Sequence, residues 1–328
     1  MAKPTVYITE QIGAAGLALL KEHCHCLMPW EANPDSPPTP PRELLAESDA
    51  VVVRLFTVGD ADLANAPRIK VVAKHGVGVD NIDVEAATRR GVPIVWCPGA
   101  SSNAVAEHAV TLMFALARQM DTAIPMVKAG KFAQRDRLKG TELAGKTLGI
   151  IGLGRIGSRV ASKAALGLGM NVLAYDPPLD RTKYEGPAKF VDQLSSLLAA
   201  SDYVTLHVPL TSETRRMIDA RTLALLKPTA RVINTSRGAV IDEAALAAAL
   251  VNGQLAGAAI DVFESEPVPV DHPLGSAPNA ILTPHMSAST AESWENVSRM
   301  AAEGVLEVLA GRQPAQVYNP EVFHSAKS

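Results

Sequence analysis

The sequence predicts an α/β protein of two domains with parallel sheets, and three observations carry that expectation. Short β-branched runs alternate with Ala- and Leu-rich helical stretches along most of the chain, the pattern left by parallel strands joined through helical crossovers. The alternation occurs twice, the two series being separated by one long helical pattern and a polar loop. The second series opens on a Gly-rich turn set between an apolar run and a helix. With 328 residues, the chain has room for two cores of roughly 150 residues each.

Taken in order, TVYIT reads as a buried strand, followed by a helix near Ala14 to Glu22 and a Pro-studded surface loop carrying Pro34, Pro37, Pro38, Pro40 and Pro41. Three further strands follow, DAVVVR, IKVVAKHG and VPIVWCPG, separated by helical segments such as VEAATRRG. A single long helix is expected from Ser101 to Met120, where the pattern turns Ala-, Val- and Leu-rich behind Asn103 or a serine as N-cap. After the loop GKFAQRDRLKGTELAG the second series supplies six strand candidates: KTLGIIGLG, NVLAYD, YVTLHVP, ARVINTS, LAGAAIDVF and AILTPH. The stretch from Ala288 to Leu309 is helical and long enough to return to the first domain.

Composition narrows the function classes. The chain is 47% hydrophobic and 20% charged, which excludes disorder as its dominant state. A net charge of −3 and 4% aromatic residues leave neither a basic excess for a phosphate backbone nor platforms for base stacking, so nucleic acid is not expected as a partner. The longest uncharged stretch of interest, Ala244 to Ile260, is interrupted by Asn252, Gly253 and Gln254 and does not make a membrane span. The opening MAKPTVYITEQIG lacks a signal-peptide layout, and the three cysteines are too few for a disulfide framework. The expected location is the cytoplasm. Cys24, His25 and Cys26, beside His23, match no common zinc spacing, so no metal is expected.

The most informative motif is Gly152-Leu153-Gly154-Arg155-Ile156-Gly157, which follows the strand LGII and precedes the helix Arg159 to Leu166. In a Rossmann-like domain Gly152 permits the tight turn, Gly154 lets a pyrophosphate approach the backbone, and Gly157 lets helix and strand pack closely. Asp176 ends the next strand, where an acid suits the ribose hydroxyls of NAD and repels the extra phosphate of NADP. Pro177, rather than an arginine, follows it. NAD is the expected cofactor.

Hydride transfer between NAD and an anionic carbonyl compound needs a cation to grip the substrate, an acid to protonate the new alkoxide and a carboxylate to orient that acid. Arg237 after ARVIN, Glu266 after GAAIDVF and His285 after AILT stand at three successive strand ends, where open α/β sheets bind ligands. Glu264 competes with Glu266 for the carboxylate role. The loop Lys74 to Asp80, KHGVGVD, offers glycine-flanked N–H groups to a carboxylate. His207, next to the strand end in LHVP, reads as a packing residue.

These segments resemble the NAD-dependent D-2-hydroxyacid dehydrogenase family, and within it the phosphoglycerate dehydrogenases. HGVGVDNIDVEAATRRGV, ELAGKTLGIIGLGRIG, LHVPLTSET, LKPTARVINTSRGAVIDEAALAAAL, LAGAAIDVFESEP and ILTPH stand in the family's order. The resemblance implies that Arg237, Glu266 and His285 are the catalytic residues, Glu266 being preferred because the family's glutamate directly precedes a proline, here Pro267. It implies cofactor contacts from Gly152, Gly154, Arg155, Ile156, Gly157, Asp176, Val208, Pro209, Thr235, Ser236, Ser287 and Ala288, and from Asp261 toward the nicotinamide carboxamide. Val77 and Gly78 would bind the substrate carboxylate, and Arg54 and Arg135 a distal phosphate.

The resemblance further implies a flavodoxin-like substrate domain, residues 1–99 with 286–328, around an NAD-binding Rossmann domain, 100–285, in a homodimer formed through the cofactor domain. The implied reaction is hydride transfer at C2 of a D-2-hydroxy or 2-keto acid, with 3-phosphoglycerate as the leading substrate and hydroxypyruvate or glyoxylate as the alternative. Corepressors that sense NAD(H) share the fold and define a different class of function. The sequence departs from the family pattern at Ser101, where Asn is usual, at Met286-Ser287, and at Phe132, where Trp is common. The longer phosphoglycerate dehydrogenases carry a regulatory domain beyond the point matching Ser328, so feedback inhibition through one is not expected.

Overall fold

A computed structural model describes residues 3–32 and 39–324. The chain divides into two compact units, Met1–Ser101 with Ser289–Ser328, and Ser102–Ala288. In the first unit, β1 (Thr5–Ile8), α1 (Ala14–His23), β2 (His25–Leu27), β3 (Ala50–Val53), α2 (Asp60–Ala64), β4 (Val71–Lys74), α3 (Val84–Arg89) and β5 (Ile94–Val95) follow one another, and the five strands build one sheet. Its strand order is β2-β1-β3-β4-β5 with all neighbours parallel, the flavodoxin-like order. Every position of β3 is buried, because a parallel sheet covered on both faces buries both sets of alternating side chains.

The sequence reading contains no strand at His25–Leu27. This short edge strand pairs with β1 through Thr5 and His25, Val6 and Cys26, and Tyr7 and Leu27. Three residues of mixed polarity show no period, so pairing with β1 decides the conformation there. Of the expected Pro-rich loop, Pro34, Pro37 and Pro38 lie outside the described residues, while Pro40 and Pro41 lead into a 3₁₀ turn at Arg42–Leu45.

The second unit begins with α4 (Ser102–Ala117) and α5 (Met120–Lys128). A single helix reaching Met120 is expected from the sequence, but the helix stops at Ala117. Thr141 N–H takes the Ala117 carbonyl at 2.8 Å, and Gln119 turns the chain with a left-handed φ of 51° before α5 starts. Then come β6 (Thr147–Ile151), α6 (Gly157–Ser162), continued by a wider π turn at Lys163–Gly167, β7 (Asn171–Tyr175), β8 (Lys189–Phe190), α7 (Leu194–Ala200), β9 (Tyr203–Leu206), α8 (Ala220–Leu223), β10 (Arg231–Asn234), α9 (Glu243–Val251), β11 (Gly257–Ile260) and β12 (Ala280–Leu282). All six expected strands form, and the two-residue β8 adds an edge that the sequence does not signal.

The order β12-β11-β10-β9-β6-β7-β8, parallel throughout, is the Rossmann order with one further strand. The α/β class with two parallel sheets therefore agrees with the sequence reading. Its faces bury separate clusters, one around Leu197, Leu206, Leu246 and Ile260, the other around Met113, Leu148, Ile150 and Val172.

The last helix, α10 (Ala291–Leu309), belongs to the first unit. It begins after Ala288, the expected start, because the Thr290 hydroxyl caps Ser293 N–H at 3.1 Å. Ser293, Val297, Ala301 and Val305 recur every four residues on its buried face. Helix α1 has no side-chain cap of its own; α10 supplies one. Glu295 accepts from Ala14 and Ala15 N–H at 3.0 and 2.7 Å, and Ser298 Oγ from Gly13 N–H at 2.6 Å, taking up donors that a helix start leaves unpaired. Among the described residues no helix is long and apolar enough to cross a membrane.

Candidate active site

In the second unit the expected site residues follow the C-terminal ends of six strands. After β6, Gly152 has φ +89°, and a Cβ there would lie 2.6 Å from the His207 carbonyl oxygen. A Cβ on Gly157 would lie 2.1 Å from the Gly152 oxygen, whereas one on Gly154 would meet nothing within 4 Å. Two glycines thus serve packing and the middle one leaves open space. At the end of β7, Asp176 Oδ2 accepts from Leu153 N–H at 2.7 Å, so the acid also braces the turn. Arg155 is exposed and Ile156 half-buried.

These residues fit a dinucleotide. An open glycine stands where a pyrophosphate needs backbone access, a carboxylate stands at the next strand end, and Thr235 Oγ1 and His207 Nδ1 are buried without a hydrogen-bond partner among the described residues. Those two groups follow β10 and β9, which are neighbours in the sheet. Burial pushes the His207 imidazole down to about 3, so the ring is neutral at working pH, as its reading as a packing residue requires. Val208 is half-buried and Pro209 exposed, while Thr235, Ser236 and Ser287 are buried.

Strands β10, β11 and β12 are adjacent, so their ends converge. His285 Nδ1 and Glu266 Oε2 are 2.8 Å apart. Glu266 Oε1 accepts from Phe263 N–H at 3.0 Å, which fixes the carboxylate against its own loop. Glu264 turns instead to Arg215 and Arg216, at 3.7 and 3.4 Å. With Nδ1–H donated to Glu266, Nε2 of His285 is the nitrogen left for proton exchange. Arg237 follows β10; its Nη1 donates to the Ser236 carbonyl at 2.7 Å.

The sequence does not reveal the support behind these groups. Asn234 is buried; its amide donates to the Arg237 carbonyl at 2.9 Å, and its oxygen accepts from Ser236 N–H and Oγ at 3.0 and 2.8 Å. Asp261, which the resemblance turns toward the nicotinamide, is 0% exposed and directs both oxygens at the turn that carries His285. Oδ1 accepts from Thr283 Oγ1 at 2.6 Å and Met286 N–H at 2.9 Å, Oδ2 from Ser287 N–H at 2.9 Å, and the Asp261 carbonyl from His285 N–H at 2.8 Å. Burial alone would raise this carboxyl, but bonds from His108, Thr283 and the two N–H groups hold it below the usual carboxylate range. His285 has a left-handed φ of 50°, an uncommon conformation for a residue with a Cβ, and this clamp offsets its cost.

In the first unit, Gly76 ends the β4 loop with φ +152°. Among the described residues, the N–H groups of Val77 and Gly78 donate no hydrogen bond. Arg54 follows β3 and lies over the Trp294 ring at 4.4 Å. Arg135, in the second unit, is exposed and rests over Phe132 at 5.1 Å.

His75 is buried behind Arg54's neighbour Trp294, edge-on to the indole at 5.1 Å. Desolvation, reinforced by the Arg54 charge, pushes its imidazole down to about 3. The unfolded chain binds a proton at this histidine near pH ~6.5 that the folded chain refuses, so stability is lost as pH falls below that point. The loss is about 1.4 kcal/mol per pH unit for this one group. Denaturant unfolding at pH ~7.5 and ~5.0 should differ by about 2 kcal/mol on its account, and His75→Gln should remove that share. An unchanged pH dependence in the variant would contradict the assignment.

Three kinds of likeness to known proteins accompany this geometry. Residues 110–287 match the family model described as D-isomer specific 2-hydroxyacid dehydrogenase, NAD binding domain. The chain is 45% identical over 279 residues to D-3-phosphoglycerate dehydrogenase of Methanocaldococcus jannaschii, covering 84% of this chain and 53% of that protein. It is 38% identical over 331 residues to glyoxylate reductase of Thermofilum pendens, covering 98% and 96%. The crystal structure of D-lactate dehydrogenase from Aquifex aeolicus with NAD and lactic acid superposes with a TM-score of 0.80 at 27% identity, over 98% of each chain. The chain spans about half the length of the phosphoglycerate dehydrogenases it matches first.

Proposed function

The chain belongs to the D-isomer specific 2-hydroxyacid dehydrogenase family and carries its NAD-binding domain, and from that premise we propose that it interconverts a D-2-hydroxy acid and its 2-keto acid, with 3-phosphoglycerate as substrate. The observation that carries the reading is the 2.8 Å bond between Glu266 and His285, at the ends of β11 and β12, next to β10, which Arg237 follows. NAD, when bound, supplies the hydride acceptor or donor. Gly152, Gly154, Gly157 and Asp176 would hold it, with Arg155, Ile156, Val208, Pro209, Thr235, Ser236, Ser287 and Ala288 alongside.

In oxidation, His285 Nε2 takes the C2 hydroxyl proton while Glu266 accepts Nδ1–H and stabilises the imidazolium; in reduction the same nitrogen returns the proton. The Arg237 guanidinium grips the carboxylate and polarises the carbonyl oxygen. Val77 and Gly78 contribute N–H groups to the carboxylate, and Arg54 and Arg135 meet the phosphate. Glyoxylate or hydroxypyruvate reduction is the second reading, favoured by the full-length match to a glyoxylate reductase. We further propose a homodimer formed through the cofactor unit. Helix α5 has no buried residue, and its Met120, Ile124 and Val127 join Phe114 and Phe132 as exposed apolar side chains.

The test follows NADH absorbance with 3-phosphoglycerate, hydroxypyruvate and glyoxylate. Arg54→Ala with Arg135→Ala should lower kcat/KM for the phosphorylated acid about a hundredfold more than for glyoxylate. Equal losses would sink the phosphate assignment. Retained NADH binding with no turnover of any acid would point to a binding protein instead.

A further inference from the structure

Arg54, Trp294, His75 and Ser298 form one connected stack within the first unit, and of the four only Arg54 has a role that the family resemblance implies. The Arg54 guanidinium lies over the indole of Trp294 at 4.4 Å, and the His75 ring meets the same indole edge-on at 5.1 Å. Ser298, one helical turn after Trp294 on α10, ties the histidine down at 2.7 Å from Nε2. The Ser298 hydroxyl donates to the Trp294 carbonyl at 2.7 Å and accepts from Gly13 N–H at 2.6 Å. Its proton being spent, it accepts from His75, which assigns the Nε2–H tautomer. Hydroxyl, imidazole, indole and guanidinium are thereby held in series.

The end of this series is a cation whose neighbouring negative charge, Glu10, acts on it without an ion-pair contact. Among the described residues no carboxylate lies within ion-pair distance of the Arg54 guanidinium. The carboxylate next to it along the fold, Glu10, is committed to the backbone: it accepts from Arg54, Leu55 and Phe56 N–H at 3.0, 2.8 and 2.7 Å. Burial pushes Arg54 down from its ordinary range, without bringing a guanidinium near neutrality. An aromatic face attracts a guanidinium and fixes its plane while leaving its N–H edge open, so the stack presents donors in the fork geometry that a carboxylate or phosphate accepts.

We propose that Trp294, steadied by His75 and Ser298, is a positioning residue that sets specificity: it holds Arg54 flat and unpaired so that the chain selects 2-hydroxy acids bearing a second anionic group. The inference rests on the reading that Arg54 meets the substrate. It adds that a tryptophan from the returning C-terminal helix, and not the arginine alone, determines how well that group is held.

The experiment compares kcat and KM for 3-phosphoglycerate with NAD against those for glyoxylate with NADH, in the full chain and in Trp294→Ala, Trp294→Phe and Arg54→Ala. Trp294→Ala should lower the ratio of kcat/KM for 3-phosphoglycerate over that for glyoxylate about tenfold, through KM. Trp294→Phe, whose ring attracts a cation less strongly, should fall between it and the parent, and carries the test if the alanine variant does not fold. A Trp294 pair that changes both substrates alike shows a merely structural role and overturns the proposal. So does a pair that leaves the ratio unchanged while Arg54→Ala lowers it. If Arg54→Ala itself leaves the ratio unchanged, the substrate reading fails and takes the proposal with it.

Discussion

His285→Ala should lower kcat for the proposed 2-hydroxy acid substrate about a thousandfold, the usual worth of a positioned general acid–base, while NADH binding should persist. The expectation follows from geometry. Nδ1 is committed to Glu266 at 2.8 Å, and the left-handed backbone at φ 50° is held by three N–H bonds to Asp261 along residues 285–287. His207 does not substitute: it has Nε2 at 3.0 Å from Thr205 Oγ1 and is neutral through burial. Glu266→Gln is the companion variant. Its amide oxygen can still accept from Phe263 N–H, but its NH2 faces the His285 Nδ1–H donor, favouring the wrong tautomer. Rates should fall at least about a hundredfold. Single-turnover rates with fluorescence titration of NADH separate the chemistry from cofactor binding. Full activity in His285→Ala would end the proposed mechanism.

Gly157→Ala should weaken cofactor binding by a different route, with NADH affinity falling by about two orders of magnitude. The new Cβ would lie 2.1 Å from the Gly152 oxygen, 3.1 Å from its carbonyl carbon and 3.2 Å from Ile150 Cγ2. The first of these is backbone and cannot rotate away, so α6 must move off the turn that follows β6. Overpacking of that kind costs about 1–3 kcal/mol in stability as well. Gly154→Ala is the contrasting variant: its Cβ meets nothing within 4 Å, so the fold should keep its Tm while the methyl occupies the approach of a pyrophosphate. Calorimetry of binding together with thermal unfolding discriminates the two. Equal losses of stability would mean that Gly154 is also a packing residue.

Much of this was legible in the sequence because the signals are local. A strand covered on both faces must be apolar at successive positions, so β3, β6, β9, β10 and β11 announce themselves as short runs. The glycine fingerprint is written within six residues, where Gly157 packs on the Gly152 oxygen, and Asp176 stands one strand away. Elements without a local signal escaped. β2 and β8 are edge pairings of three and two residues, and the break after Ala117 is made by a bond from Thr141, which no pattern inside the helix reports. For Arg237, Glu266 and His285, chain order placed the residues at strand ends but not their atoms.

The sequence by itself determined the α/β class, the two parallel sheets and the NAD-binding character, since these follow from periodicity and from glycines that tolerate no Cβ. Only the tertiary structure decided which atoms of Glu266 and His285 meet, where Asp261 turns its carboxylate, and what lies under Arg54. Beyond the last ladder hydrogen bond of a strand, side-chain direction is no longer set by alternation. It is set by whichever distant groups close the hydrogen bonds, as Asp261 does for residues 286 and 287 and as Trp294 and Ser298, arriving on a helix from the far end of the chain, do for Arg54 and His75.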